Sequence, residues 1–197
     1  MSNLRPLRPD EIDDFDDLFG ELAALAGFVP NSLLTMARRP NLARAFNVLA
    51  IAALREGTVD DALKAMVAHM TSTAAGCLYC EAHTAATASA RGVDDGRLGA
   101  IWEFEHDPRF SERERAALRL ARDAGQVPNA VTPAHFDDLR AHFDEGEIVE
   151  LVGVIATFGF LNRWNDTFAT ALEDHPGSVA ERTLTERGWT PGKHASP

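Results

Sequence analysis

Apolar residues recur at helical spacing along almost the whole chain. Leu18, Phe19, Leu22 and Leu25, after an acidic start, predict a first helix over 10–26, closed by Gly27. Asn31 is placed to cap a second helix, which ends in the basic turn of Arg38 and Arg39 before Pro40. Asn41 then caps a third over 42–55, where Phe46, Leu49, Ile51 and Leu54 form a broad apolar stripe. A fourth helix follows Gly57 and Thr58 over 59–73, and Ala75-Gly76 separates it from a fifth over 77–91. After a short helix near 95–104, Ser111 and Glu114 form a capping box for 112–124, and Thr132 caps 133–143. The stretch 145–161 is strongly apolar and is expected to continue, kinked, to 173. Beyond residue 175 the chain turns polar and is spotted with Gly and Pro, which predicts a loosely ordered tail.

No run alternates like a strand, so the pattern predicts an all-α protein: one helical domain over 1–174 and a polar tail over 175–197. Shifted by 85 residues, 60–81 aligns with 145–166 without a gap, matching Leu63 with Ile148, Met66 with Leu151, Val67 with Val152 and Met70 with Ile155. That register suggests pseudo-repeated halves, about 27–92 and 110–174, and places Cys77 on Asn162, Cys80 on Asn165 and His83 on Phe168.

Composition narrows the class. Apolar residues are 45% and charged residues 25%, as in ordinary globular proteins. A net charge of −11 argues against nucleic acid or an anionic membrane surface as partner, since both select a basic stripe. The longest apolar patch, 151–161, is too short to span a bilayer, and the N-terminal residues lack the apolar core of a signal peptide. A cytoplasmic location is the expectation.

The chain has only two cysteines, Cys77 and Cys80, with His83 one turn later. A three-residue step on a helix brings the sulfurs to nearly the same face, and a thiolate in a first turn meets unpaired N–H groups. His83 can take a thiol proton or, as imidazolium, hold a thiolate. A nucleophilic sulfur, a resolving thiol and a proton carrier are what peroxide reduction requires. Two other readings stand beside it: small buried hydrophobes, or three zinc ligands that only His69 is placed to complete.

The segment 74–86, Ala-Ala-Gly-Cys-Leu-Tyr-Cys-Glu-Ala-His-Thr-Ala-Ala, resembles the core motif of the AhpD-like superfamily of alkylhydroperoxidases and carboxymuconolactone decarboxylases. The stretches 27–31 (Gly-Phe-Val-Pro-Asn) and 158–165 (Phe-Gly-Phe-Leu-Asn-Arg-Trp-Asn) resemble its peroxidase-related branch. The resemblance, over roughly 10–175, implies an AhpD-like helical fold and a homo-oligomer (dimer, trimer or hexamer). It also implies reduction of a peroxide substrate with Cys80 attacking and Cys77 resolving. No cofactor or metal is implied beyond that pair, which an external dithiol of lipoyl or thioredoxin type would re-reduce. A decarboxylase-like enzyme and a zinc-binding structural module are the alternatives.

Two departures from the family's pattern matter. Its relay glutamate is replaced here by Ala65, and its histidine lies one residue closer to the second cysteine. His69, one turn after Ala65, is the candidate substitute base, while the 85-residue register puts Glu150 at the equivalent place in the second half. Tyr79, the only tyrosine, either lines the approach to the sulfurs or packs; Glu81 is expected to face solvent. The polar run 162–165 (Asn-Arg-Trp-Asn) reads best as a tie between helices, with binding of a substrate carboxylate as the other use.

Overall fold

The computed structural model describes residues 2–196; the side chains of Glu21, Ala24, Leu25 and Ala26 lie outside that description, so Leu25's place on the first stripe is untested. Ten α-helices follow one another: α1 (Phe15–Ala26), α2 (Asn31–Met36), α3 (Pro40–Leu54), α4 (Asp61–Ala75), α5 (Leu78–Ala90), α6 (Asp95–Gly99), α7 (Glu112–Gly125), α8 (Pro133–Arg140), α9 (Glu145–Phe168) and α10 (Asp174–Leu184). Single 3₁₀ turns lie at Pro9–Glu11, Ile101–Glu103, Thr185–Arg187 and Gly192–His194, and no strand occurs among the described residues. None of these helices is long and apolar enough to cross a membrane.

Helix α4 is the axis of the fold. It packs on α5, α7 and α9, and every residue from Leu63 to Ser72 is buried, so this helix is enclosed on all sides. Asp60 caps it by accepting the N–H groups of Ala62 and Leu63. Around it lie Phe104, Phe110, Leu118, Leu120, Leu139, Leu151 and Val154. A second cluster joins Cys77, Tyr79 and Cys80 to Leu172, Val179, Ala180, Leu184 and Trp189; a third, with Phe19, Leu33, Met36 and Phe46, packs α1, α2 and α3.

The capping box of Ser111 and Glu114 opens α7 as its spacing predicts. Four other expectations are corrected. Asn41 does not cap α3: α2 ends before Pro40 as expected, but Pro40 itself takes the first position of α3, where the first helical N–H has no intrahelical partner to lose. On that helix the expected stripe is split: Phe46 is buried and Leu54 packs against the core, whereas Leu49 and Ile51 point outward. Helix α9 stops at Phe168 without reaching Glu173, ended by Ala169 at φ 47°. The stretch after 175 is folded: α10 accommodates Pro176 in its first turn and packs Val179, Ala180 and Leu184 against α5.

One buried charge is structural. Lys64, with 3% of its side chain exposed, pairs with Glu150 at 2.8 Å and also donates to the Glu56 carbonyl. Glu150 further accepts the N–H groups of Thr58 and Val59. Gly57, at φ +101°, lets that turn close over the carboxylate, which occupies the space a Cβ would fill. Glu150 is therefore committed to the start of α4 and not to the thiols. Glu150→Gln should cost about 3 kcal/mol by stranding the ammonium, and adding Lys64→Met should recover more than half. Denaturant unfolding of the single and double variants measures this; additive losses would contradict it.

Candidate active site

The break between α4 and α5 builds the site. Gly76 takes the left-handed conformation (φ +72°) that ends α4, and Cys77 becomes the N-cap of α5. The Cys77 sulfur stands where a cap oxygen usually does, and the Cys80 N–H donates to it at 3.4 Å. Both cysteines are free and buried, 1% and 2% exposed. The Asn165 amide donates to the Cys80 sulfur at 3.4 Å, so the position that aligns with Cys80 in the 85-residue register touches it. Burial pushes the Cys80 thiol well above its ordinary pKa; the neighbouring Cys77 adds to the rise and Asn165 opposes it.

His83 is held by a residue the sequence reading missed. Its Nε2–H donates to Glu173 Oε2 at 2.7 Å, while Glu173 Oε1 accepts the Tyr79 hydroxyl at 2.9 Å and the Asn31 N–H. Asn31 does not cap α2; its amide side chain donates instead to the Ala171 carbonyl. Burial alone would raise the Glu173 pKa, but the His83 hydrogen bond and charge, with backbone N–H donors, hold it below the ordinary carboxylate value. Tyr79 is pushed up by burial and by the Glu173 charge, so it stays a phenol. Its ring stacks on His83 with centroids 4.4 Å apart, and Phe28 lies 6.2 Å from the same imidazole. Tyr79 thus both packs and donates.

His69 is not brought to the sulfurs. Its Nδ1–H donates to Thr84 Oγ1 at 3.0 Å, and Thr84 donates to the Cys80 carbonyl at 2.7 Å. Burial, then the Arg187 charge, pull its pKa down to about 4, which keeps it neutral. Ala65 is buried in the main core, and no carboxylate stands at that position. Cys77, Cys80, His83 and His69 do not gather as a zinc site among the described residues, since Glu173 and Thr84 take the two imidazoles. In the run 162–165, Arg163 is turned to its own helix at Gly159, and only Asn165 meets the thiols. Glu81, expected in solvent, is half-buried, and burial pushes its carboxyl up to about 7 against the Arg187 charge.

A helical fold built around a buried two-cysteine turn defines the class: a dithiol protein whose α5 also carries a histidine hydrogen-bonded to a buried carboxylate. Residues 40–123 match the carboxymuconolactone decarboxylase family. The debrominase Bmp8 is 32% identical, with a TM-score of 0.81 over 91% of this chain and 97% of that one. A variant of it has been solved in complex with 2,3,4-tribromopyrrole. An uncharacterized peroxidase-related protein from Ralstonia eutropha JMP134, described as an alkylhydroperoxidase AhpD core, is 27% identical over 89% of this chain and 94% of its own, with a TM-score of 0.78. The YnjA protein of Escherichia coli (strain K12) is 27% identical over 111 residues, which cover 56% of this chain and 61% of that protein. The chain belongs to the AhpD-like and carboxymuconolactone decarboxylase superfamily.

The two perturbed groups behind the thiols pull stability in opposite directions. Glu81, raised to about 7, costs folding energy that grows as pH rises from 4.5 toward 7. His69, lowered to about 4, contributes fully above its ordinary 6.5 and loses that contribution as pH falls toward 4. Glu81→Gln should raise the melting temperature by roughly 2–4 °C at pH 8, the shift of about 1 kcal/mol in a chain of this size. The gain should vanish near pH 4.5, leaving the variant steeper toward acid than the wild type. Melts across that range decide it; an equal gain at both ends would refute the assignment.

Proposed function

We propose that this chain is a thiol-dependent reductase of small electrophilic substrates, with a hydroperoxide as the first substrate class. The observation that carries the reading is the pair of free thiols at the start of α5, with His83 on the same helix hydrogen-bonded to Glu173. The family resemblance implies that Cys80 attacks; the local geometry supports the reverse order. Cys77 is the N-cap sulfur and accepts the Cys80 N–H at the positive end of α5, whereas the Cys80 thiol is pushed well above its ordinary pKa by burial and by Cys77 itself.

In that order the Cys77 thiolate attacks the terminal peroxide oxygen and the O–O bond breaks. His83, held by Glu173, gives its proton to the departing alkoxide, leaving an alcohol and a Cys77 sulfenic acid. Cys80 then attacks that sulfur; its own proton and the hydroxyl leave as water, and a Cys77–Cys80 disulfide remains. Thiol–disulfide exchange with an external dithiol, lipoyl-bound or thioredoxin-like, restores both thiols.

A second reading has its own support, the 32% identity with a debrominase over 91% of this chain. The same two thiols supply the two electrons that convert an aryl bromide into the arene and bromide, again leaving the disulfide. Tyr79, His83 and Phe28 offer aromatic faces suited to a flat ring.

The test is consumption of an alkyl hydroperoxide and, separately, release of bromide from a bromopyrrole, each with dithiothreitol or dihydrolipoamide as donor. Cys77→Ser should abolish turnover of the true substrate, and Cys80→Ser should stop after one turnover with a dimedone-reactive Cys77. A sulfenic acid found on Cys80 would restore the order that the resemblance implies. Wild-type turnover no greater than that of both variants, on both substrates, would sink the reductase.

The outward apolar residues of α3 (Val48, Leu49, Ile51) and α9 (Val149, Val152, Phe160) are the face we assign to contact between copies. Light scattering should give an oligomer for the native chain and a monomer for Val48→Glu/Val149→Glu. A native monomer would remove the assignment.

A further inference from the structure

A second set of polar groups meets the first turn of α5, and the reaction described above does not use it. The stretch that follows α10 runs back beside the loop after α9 and carries His194, which is fully buried. Two bonds fix it there: its carbonyl accepts the Leu172 N–H at 2.8 Å, and its ring Nδ1 donates to the Thr170 carbonyl at 2.8 Å. A carbonyl only accepts, so Nδ1 must carry the hydrogen, and Nε2 is the nitrogen left to act. That nitrogen faces Asp166 Oδ1 at 3.3 Å. The ligand atoms of Cys77, Asp166 and His194 all lie within 4.8 Å of one another. Lys193 reaches the same Asp166 oxygen at 3.1 Å, and the Tyr79 ring lies 5.8 Å from the imidazole.

This geometry fixes where a proton belongs. A bare Nε2 lone pair at 3.3 Å from a carboxylate oxygen is repelled by it, whereas a protonated Nε2 makes a hydrogen bond. A proton on Nε2 would be held by Asp166, and the Cys77 sulfur lies within 4.8 Å of the ligand atoms of both. We propose that His194 is the base that takes the Cys77 proton, with Asp166 as the residue that orients it and holds its charge. Cys77, His194 and Asp166 then form a Cys–His–Asp relay drawn from α5, from α9 and from the stretch after α10. The step is a single proton transfer: the Cys77 S–H bond breaks, the proton moves to His194 Nε2, and the sulfur keeps the electron pair. The relay rests on the reading of Cys77 as the attacking thiol. It leaves His83 and Glu173 the separate task of protonating the leaving group, so each proton movement has its own histidine.

The groups around this imidazole are Cys77 and Tyr79 from the start of α5 and Asp166 from α9, and Lys193 competes with it for the Asp166 oxygen. The experiment measures the rate at which iodoacetamide alkylates Cys77 in the reduced full-length chain between pH 5 and 9, the site being localised by fragment mass spectrometry. Wild type should label well below the pH expected of a free thiol. His194→Gln should slow labelling at pH 7 by about tenfold and move the profile up by about one unit. Asp166→Asn should shift it in the same direction by less, and Lys193→Met, which leaves Asp166 to the imidazole alone, should not move it upward.

Melting curves of the same variants separate loss of the relay from loss of fold. Should His194→Gln fail to fold, Asp166→Asn carries the test alone. A His194→Gln or Asp166→Asn profile that superimposes on wild type overturns the relay. So does one equivalent of zinc bound tightly by the reduced chain and lost in Asp166→Asn, which would make the trio a metal centre. Failure of the reductase reading shows elsewhere, as absent turnover with an intact labelling profile, so the two outcomes are distinguishable.

Discussion

The carboxylate of Glu173 is the constraint on which the site depends. Taking a charge out of water is costly unless donors surround it, and here they come from distant parts of the chain: His83 and Tyr79 on α5, and the N–H of Asn31 at the start of α2. Satisfying one anion therefore fixes where α2 meets α5 and how the His83 ring is turned. The stacking of Tyr79 on that ring follows from the same arrangement, since both donors converge on one carboxylate. Loss of any one partner would leave the others burying a charge they cannot balance.

Much of this was legible locally. The two-cysteine step, the Gly76 break and the Ser111–Glu114 box are short-range devices, and each is present. The same holds for the all-helical pattern. What the sequence hid is long-range. Glu173 sits 90 residues from His83, in a stretch that continued apolar periodicity assigned to the end of a helix; Ala169 turns the chain out of that helix first. His194 and Arg187 lie in a region whose polar residues, Pro and Gly read as a loosely ordered tail, yet Pro176 occupies a first turn where it breaks no hydrogen bond. The apolar stripe on α3 marked a face needing cover without saying what covers it, and Leu49 and Ile51 are outside. Asn165 had a faint signal, the 85-residue register that set it on Cys80.

Polar groups crowd the turn from both ends of the sequence without breaking the packing beneath it. His69 and Glu81 are each displaced from their usual ionisation, and Arg187 faces both. The result is a thiol pair almost sealed from solvent, with charged groups arranged around it. Such a setting suits chemistry in which a small substrate displaces little and water competes poorly.

The fixed position of Glu173 beyond α9 has a consequence for how relatives diverge. Residues 40–123, the part that matches the family, contain Cys77, Cys80 and His83 but neither Glu173 nor Asn165. Two descendants can share the recognisable segment almost unchanged while exchanging the carboxylate that governs its histidine. Inheritance of the motif and inheritance of its acid–base partner are then separate events. Substrate preference can drift along a lineage while the segment used to recognise that lineage stays constant.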